Sequence, residues 1–292
     1  MNRSGCVYNY PGNYYRRKSC PLCFSERIRL IDQIEYEKPF RFSTHEIQLG
    51  AIPELWSCEQ CNSWFTQNIF PKETAGELYS KGHSGNRWSQ EKFEKQKTIE
   101  ILNTLKTILK KGSAILDVGC NTGELLDFAK ERGCLTAGIE LSERSRSILN
   151  AKNHQSYETL DCVRERFDVI ASFDLIEHLY DVPGFFEKCK DLLTDHGVIV
   201  LLTGNIASPS AWICRAKWWY LKYPEHIVFP SRKYYSMHTG LLLEKWIPTY
   251  AEVSFKRSPL SVAYWVVRRM LRQTYIGLPS LGPDHVLIVM KR

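Results

Sequence analysis

The amino-acid sequence contains no long hydrophobic run, which excludes a membrane-spanning helix of about 20 apolar residues. Its apolar stretches, such as 198–202, have the length of a strand. Residues 1–18 lack the apolar middle region of a secretory signal, so we expect a cytosolic protein. Internal repeats and low-complexity tracts are also missing, which excludes repeat architectures.

The sequence has no strong excess of charge of one sign: 39 basic and 32 acidic residues give a net charge of +7. This balance permits an anionic partner without requiring one. Hydrophobic residues make up 43% and charged residues 24%, which is typical of a globular protein. A length of 292 residues suits one large domain with a small appendage.

Four of the ten cysteines form two CxxC pairs, Cys20/Cys23 and Cys58/Cys61. In a reducing compartment such pairs indicate a metal site rather than disulfides. Four thiolates close a tetrahedral zinc site, which is structural because no position stays open for water. The alternative is two unrelated pairs of thiols.

The chain divides into four predicted zones. We expect a flexible arm at 1–18, a small zinc-ribbon-like domain at 19–72, a helical connector at 73–112 and a large domain at 113–292. In the connector, apolar residues recur near a period of 3.6, and Gly112 is placed to end its helix.

From residue 114 onward, apolar strands alternate with helices, which predicts an α/β fold with a doubly wound, mostly parallel sheet. We expect helices at 123–132, 142–152 and 182–194, and one more beginning near Asp174. Strands are predicted at 114–119, 135–140, 156–160, 167–173, 197–203, 251–255 and 285–290.

The segment LDVGCNTG at 116–123 lies where the first of these strands turns into a helix, the edge at which open α/β sheets bind ligands. It is neither a GxxxxGK[ST] phosphate loop nor a GxGxxG fingerprint, because Asn121 replaces the middle glycine and Glu124 follows Gly123. Glu140 ends the second strand, where an acid can accept hydrogen bonds from a ribose. A cationic nucleoside without phosphate, such as S-adenosylmethionine, fits these residues.

Four segments in order, LDVGCNTG, GIE, FDVIASFDLIEHL and LLTDHGVIVLL, resemble the motifs of class I S-adenosylmethionine-dependent methyltransferases. The resemblance covers about residues 90–292 and implies a Rossmann-like, seven-stranded sheet. It also implies a set of residues around the cofactor: Asp117, Gly119, Cys120, Asn121, Gly123, Glu140, Leu141, Leu160, Phe173 and Asp174.

A hydroxyl acceptor must lose a proton during methyl transfer, and either His178 or His226 can serve as the base. Asp174, Glu177 and His178 are spaced like one face of a helix. Together with His226, they resemble the acidic-x-x-Glu-His motif of metal-dependent ubiquinone-pathway and small-RNA 2′-O-methyltransferases, which implies Mg²⁺ or another divalent ion. A purely structural reading, with Asp174 and Glu177 as a helix capping box, is the alternative.

Two further segments carry aromatic or apolar residues beside basic ones. The segment 261–273 predicts a helix docked on its own domain, with a membrane-surface helix as the alternative. The stretch 212–223 predicts either a lid over the substrate or aromatic residues of the core whose basic neighbours face solvent. It contains Trp212, Arg215, Lys217, Trp218, Trp219, Tyr220, Lys222 and Tyr223.

The cysteine pairs in front of the large domain resemble the zinc-headed methyltransferases of sugar-nucleotide and surface-polysaccharide biosynthesis. This implies methylation of a hydroxyl on a sugar, nucleotide sugar or glycan end. An RNA or a small natural product is the alternative acceptor, although no dense Lys/Arg run between Cys20 and Cys61 favours nucleic acid. A non-catalytic cofactor-binding subunit is the third hypothesis, and the sequence indicates no oligomeric state.

Overall fold

The computed structural model describes residues 7–10, 14–34, 40–42, 45–49, 51–81, 93–252 and 282–292, with single positions between 258 and 267. Its helices are α1 Lys72–Lys81, α2 Phe93–Gln96, α3 Ile99–Ile108, α4 Glu124–Lys130, α5 Glu143–Ala151, α6 Val182–Leu192, α7 Pro209–Cys214 and α8 Arg232–Met237. Short 3-10 helices lie at Leu160–Cys162, Ile176–His178 and Arg215–Lys217. The strands are β1 Val7–Tyr10, β2 Ile28–Gln33, β3 Phe40–Phe42, β4 His45–Leu49, β5 Glu54–Cys58, β6 Trp64–Gln67, β7 Ala114–Val118, β8 Leu135–Ile139, β9 Gln155–Tyr157, β10 Phe167–Phe173, β11 Leu193–Gly204, β12 Val228–Phe229, β13 Leu242–Thr249 and β14 His285–Lys291.

The large sheet has seven strands in the order β13-β14-β11-β10-β7-β8-β9. The five strands from β11 to β9 are parallel, and β14 runs antiparallel to both of its neighbours. This confirms the predicted α/β, mostly parallel, Rossmann-like sheet. Because strand order reverses between β7 and β10, the crevice beyond their carboxyl ends is where such a sheet binds ligands.

Helix starts follow the side-chain chemistry of the chain. Ser142 caps α5 by accepting from the Ser145 amide at 3.4 Å, and Asp181 caps α6 by accepting from the Gly184 amide at 2.9 Å. Each cap satisfies a backbone donor that has no partner within the helix. The helices predicted at 142–152 and 182–194 are therefore confirmed to within a few residues.

Two predicted elements are wrong. The strand expected at 251–255 lies earlier, as β13, while residues 251–252 form a bend and 253–255 fall outside the described residues. No α-helix begins near Asp174, whose φ of 50° places it in the left-handed region, and only a 3-10 turn follows. That turn has Leu175 at its N-cap and no side-chain cap, so the capping-box interpretation is also wrong.

The cysteine-bearing segment forms a four-stranded sheet in the order β12-β6-β5-β2, and β1, β4 and β3 form a separate small sheet. Strand β12 comes from the large predicted domain. The buried side chains of Cys61, Phe65, Val228 and Phe229 belong to one hydrophobic cluster. The two parts of the chain therefore share a core, and the boundaries drawn at 18, 72 and 112 stay predictions.

In the described part of the chain, no helix is long and apolar enough to cross a membrane. Most of the segment 261–273 lies outside the described residues, so its predicted helix is untested. In the aromatic-basic stretch 212–223, some aromatic side chains lie in the core and others are exposed. Trp218 and Tyr220 are buried in the core, whereas Trp212 on α7 is 72% exposed.

Candidate functional site

The loop after β7 approaches its surroundings so closely that two of its residues must be glycine. Gly119 and Gly123 have φ angles of 80° and 85°, in the left-handed region. A Cβ atom on Gly123 would lie 2.6 Å from the Leu149 side chain, and one on Gly119 would lie 3.2 Å from Leu175. Asn121 between them also has a positive φ, of 49°. The loop therefore curls tightly at the carboxyl end of β7 and leaves backbone exposed to a ligand.

Glu140 follows β8 and holds the loops on either side of it. Its carboxylate accepts from the Asn121 amide at 3.1 Å and from the Ser142 amide at 2.9 Å. An ionised carboxylate has about four acceptor positions, so two remain for hydroxyl groups of a ligand. The neighbouring Leu141 is 47% exposed.

Asp117 is buried at the end of β7, beneath this loop. Burial, together with the charges of Glu124 and Glu140, raises the pKa of its carboxyl group to about 8, and Lys97 opposes this only weakly. Three carboxyl groups thus lie near one another around this loop, and the space that they border is called the pocket below. Such an arrangement favours a cationic ligand and disfavours a phosphate.

The other predicted cofactor residues lie around the same edge. Leu160 is in the 3-10 helix after β9, and Phe173 is the last residue of β10. The Phe173 ring stacks on Phe93 with a centroid distance of 6.3 Å. Cys120 is buried against β8, where its sulfur would clash with a Cβ on Gly138. There its side chain packs the loop onto the sheet.

Lys97 was not among the predicted site residues, yet it is buried between α2 and α3. Its ammonium lies 5.8 Å from the centroid of the Phe93 ring. It acts electrostatically on Asp117 and Asp174, yet no described carboxylate forms an ion pair with it. A buried cation among the carboxylates of the pocket can take the anionic group of a zwitterionic ligand.

Asp174, Glu177, His178 and His226 come together beside this pocket, although not on a helix. One donor atom each from Glu177, His178 and His226 lies within 4.8 Å of the others. The two imidazole rings meet edge to face with a centroid distance of 4.6 Å. The predicted quartet is thus adjacent in space, with Asp174 at its margin.

Both histidines are fixed in one tautomer. Nδ1 of His178 lies 3.0 Å from the carbonyl oxygen of Glu225, and Nδ1 of His226 lies 2.6 Å from that of Tyr220. A carbonyl oxygen only accepts, so each Nδ1 carries the proton and each Nε2 carries the lone pair. Burial lowers the pKa of both rings, that of His226 well below the ordinary value, which keeps them neutral.

The carboxylates are held by residues that the sequence did not single out as site residues. Tyr220 donates from its hydroxyl to Glu177 and, at 3.2 Å, to Asp174. Thr203 donates to Glu177 at 2.9 Å. Burial and the charge of Asp174 raise the pKa of Glu177.

His285 completes this network at the start of β14. Its Nε2 lies 3.4 Å from a carboxylate oxygen of Asp174. Burial would raise the pKa of Asp174, but the contact with His285, the charge of Lys97 and the hydrogen bond from Tyr220 together outweigh burial, so the pKa is lowered. Because β14 is antiparallel, its first residue lies at the same edge as the ends of the parallel strands, which no local sequence pattern reveals.

The four paired cysteines form a second cluster. Sγ of Cys20 lies 3.7 Å from that of Cys61, and Cys23 and Cys58 are 3.5 Å apart. All four sulfurs lie within 4.8 Å of one another, and tetrahedral Zn–S bonds of about 2.3 Å set sulfurs roughly 3.8 Å apart. The hydrogen bond within the Cys20–Cys61 pair lowers the pKa of the Cys61 thiol and raises that of Cys20. The donor set and spacing fit zinc.

A protein family and several curated relatives match this chain. The family described as methyltransferase domain matches residues 90–237, about half of the chain. A ubiquinone biosynthesis O-methyltransferase of Coxiella burnetii is 29% identical over 129 residues, covering 38% of this chain and 54% of that protein. The protein of the same name from Leptothrix cholodnii is 28% identical over 157 residues, covering 48% of this chain and 65% of its own length. This chain thus spans about half to two thirds of the length of these curated relatives.

Among solved structures, one described as a SAM-dependent methyltransferase from Archaeoglobus fulgidus is similar to this chain. It is 18% identical, covers 66% of this chain and 92% of its own, and superimposes with a TM-score of 0.48.

Proposed function

We propose that this chain, which belongs to the methyltransferase-domain family, transfers the methyl group of S-adenosylmethionine to a hydroxyl of a small molecule. One observation carries the proposal: the carboxylate-lined pocket and the Glu177–His178–His226 cluster lie at the same edge of the sheet. Asp117 pairs with Ala171 of β10, three residues before Asp174. A cofactor over the first strand would therefore lie next to a base over the fourth.

The pocket supports this choice of cofactor through its charge. S-adenosylmethionine carries a sulfonium and an ammonium group, and three carboxyl groups line the loop that would receive them. Glu140, already oriented by two backbone amides, is the residue we propose for the ribose hydroxyls. We propose that Gly119, Asn121 and Gly123 border the methionine portion, and that Leu141, Leu160 and Phe173 line the rest of the site.

The histidine cluster supports a hydroxyl acceptor. In the transfer, the acceptor oxygen forms a bond to the methyl carbon while the sulfur–methyl bond breaks, and the hydroxyl proton must go to a base. Nε2 of His178 or His226 is the atom we propose to receive it. Alignment of oxygen, methyl and sulfur at about 3–3.5 Å supplies much of the remaining rate enhancement.

A divalent cation is a second candidate for this cluster, favoured by the three donor atoms within 4.8 Å. Glu177, His178 and His226 would hold it, with Asp174 beside them. Such an ion would act as a Lewis acid that lowers the pKa of the acceptor hydroxyl. The fixed Nδ1–H tautomers of both histidines suit this role. A metal-ligating imidazole binds the ion with one ring nitrogen and donates a hydrogen bond from the other, often to a backbone carbonyl oxygen.

We propose a broad class of acceptor, a small-molecule hydroxyl, and within it a narrower class, a sugar hydroxyl. The curated relatives are named as ubiquinone biosynthesis O-methyltransferases, which supports a small-molecule hydroxyl. The zinc-headed arrangement of cysteines is the basis for the narrower proposal of a sugar, nucleotide sugar or glycan end. We further propose that Cys20, Cys23, Cys58 and Cys61 hold a structural zinc ion.

The first experiment is calorimetric titration of the zinc-loaded protein with S-adenosylmethionine, beside Glu140→Ala and the exposed control Glu143→Gln. Binding that is lost only in Glu140→Ala supports the cofactor site, and no binding in any of the three contradicts the proposed function. Turnover is then measured on nucleotide sugars and on catechols, with and without EDTA and added Mg²⁺. Inhibition by EDTA that Mg²⁺ reverses selects the metal, and tight binding without turnover on any acceptor supports a non-catalytic subunit.

A further inference from the structure

One residue joins the cysteine-bearing sheet to the histidine cluster through its backbone. The amide of Ile227 donates to the carbonyl oxygen of Glu177 at 2.7 Å, and its own carbonyl accepts from the Thr66 amide at 3.0 Å. Ile227 is buried and directly follows His226. The position of His226 is therefore tied to both the 3-10 turn Ile176–His178 and strand β6.

The next residues extend this connection to the cysteines. Val228 and Phe229 pair with Phe65 and Trp64, so β12 is the edge strand of the cysteine-bearing sheet. Beyond them, Ser231 donates from its hydroxyl to the carbonyl oxygen of Cys61 at 2.5 Å.

Ser63 makes a second link, from Ser231 back to the cysteine turn. Its hydroxyl oxygen accepts from the Ser231 amide at 3.0 Å, and its carbonyl oxygen accepts from the Cys58 amide at 2.9 Å. Ser63 and Ser231 are both buried, so water does not compete for these bonds. Ser231 is thus connected to the Cys58–Cys61 turn through the Cys61 carbonyl and through Ser63.

Both cysteine turns contain a residue in the left-handed region. Phe24 and Asn62, each directly after the second cysteine of a pair, have φ angles of 60°. Asparagine adopts this region readily, whereas phenylalanine is strained there, and such strain persists only where the surroundings impose it. Metal–thiolate bonds across the four cysteines would hold both turns at once.

We propose that the four-cysteine centre is a positioning element of the active site, in which Ser63 and Ser231 hold His226 against Glu177 and His178. Zinc in the centre fixes the Cys61 turn, and the two serines transmit this order to β12 and the residue before it. The cofactor pocket of Asp117 and Glu140 lies on other elements and makes none of these contacts. The catalytic part of the inference rests on the proposed function, whereas the structural part does not.

The test compares the zinc-loaded protein, the protein stripped of zinc by a chelator, and the zinc-loaded variant Ser63→Ala. Hydrogen exchange is followed at the amides of Ile227 and Ser231, with strand β7 as the internal reference. Affinity for S-adenosylmethionine and turnover are measured on the same samples. Ser236→Ala, on the exposed face of α8, is the matched control because its hydroxyl bonds only within its own helix.

We expect Ser63→Ala to lose protection at Ile227 and Ser231 while β7 stays protected. Turnover should fall roughly tenfold or more, because a small displacement of a catalytic group has a large effect on rate. Cofactor affinity should change by less than about twofold, and restoring the hydroxyl with Ser63→Thr should recover part of the rate. Zinc removal should reproduce the same pattern in the unmodified chain.

Unchanged protection at Ile227 after zinc removal would overturn the proposal. If zinc removal also exposes the amides of β7, the protein has lost more than the proposed link, and the zinc-loaded variant Ser63→Ala becomes the deciding sample. Unchanged hydrogen exchange at Ile227 and Ser231 in that variant contradicts the proposal. A protein that binds no S-adenosylmethionine contradicts the proposed function, yet the exchange measurements still test the link between the cysteines and residues 226–231.

Discussion

Tyr220 contacts His226 through its backbone, with its carbonyl oxygen 2.6 Å from Nδ1 of the imidazole. The hydroxyl of the same tyrosine donates to Glu177 and Asp174. One residue thus orients a histidine by its main chain and two carboxylates by its side chain. The backbone contact survives any substitution, so the two roles can be separated by mutation.

Tyr220→Phe should keep the imidazole in place and remove the donor to one carboxylate oxygen of Glu177, while Thr203 still donates to the other. A buried carboxylate oxygen left without its donor costs about 1–3 kcal/mol, so we expect a lower free energy of unfolding. Turnover should fall because Glu177 is no longer fixed beside the histidines, while the KM for S-adenosylmethionine stays constant. Chemical denaturation and steady-state kinetics measure the two effects.

The matched control for this change is Tyr235→Phe. Tyr235 is fully buried, and its hydroxyl has no hydrogen-bond partner among the described residues. Removing it should leave stability unchanged or slightly raised, since no bond is lost. Equal destabilisation of the two variants would show that the hydroxyl of Tyr220 is not a specific support of the cluster.

Gly123 is expected to be intolerant of any side chain. Alanine there would require a positive φ and would place its Cβ 2.6 Å from the Leu149 side chain. We expect Gly123→Ala to lose on the order of 1–3 kcal/mol of stability and to bind S-adenosylmethionine more weakly, by thermal melting and calorimetry. Gly76 in α1 has open space around it, so Gly76→Ala should instead stabilise by about 0.5–1 kcal/mol. A tolerated Gly123→Ala would mean that the loop is not shaped as described.

Asp117 links stability to pH and to cofactor binding. Its pKa is raised from 3.8 to about 8 in the folded chain, so the folded state holds this proton more tightly than the unfolded chain. The resulting stability is fully present below pH 4 and is lost as the pH rises to about 8. Asp117→Asn removes the titration, so its unfolding free energy should exceed that of the original protein increasingly from pH 5 to 8.

The same substitution should abolish the affinity for S-adenosylmethionine, because the ionised carboxylate is the partner of a cation. In the original protein, binding should strengthen as the pH approaches 8, by up to about tenfold per unit when one proton is released. Melting curves and calorimetry across this range measure both trends. Asp195→Asn, with a side chain 87% exposed, is the control. A destabilising Asp117→Asn would contradict the assignment of a raised pKa.

The parallel strands could be predicted because they are buried on both faces and appear as continuous apolar runs. Strand β13 gave no such signal, since it lies at the sheet edge, alternates between exposed and half-buried residues and contains Pro248. The loop glycines and Glu140 could be singled out as candidates because their spacing in the sequence is local. Asp174 was assigned to a helix from its spacing, but its contacts with Tyr220 and His285 are tertiary and override that preference.

Lys97 shows the same limit within the candidate site. One basic residue in a helical, lysine-rich connector gives no sign of burial, and only the folded chain brings it near Asp117 and Asp174. Its position suggests a specific partner in the cofactor. Because the carboxylates attract the ammonium and sulfonium groups, the buried ammonium of Lys97 is placed to receive the carboxylate of the methionine portion.

Lys97→Met should weaken the binding of S-adenosylmethionine by roughly tenfold to a hundredfold, since a hydrogen bond to a charged group contributes about 1.5–3 kcal/mol. The decisive comparison uses decarboxylated S-adenosylmethionine, which lacks the proposed partner. Its affinity should not fall in Lys97→Met, and should rise where removing a buried cation relieves repulsion of the ligand's positive charges. Lys95→Met, two residues earlier and exposed, is the control for net charge. Calorimetry on both ligands with all three proteins measures the interaction directly. If Lys97→Met weakens both ligands equally, the lysine supports the pocket without contacting the carboxylate, because a direct contact affects only the ligand that carries that group.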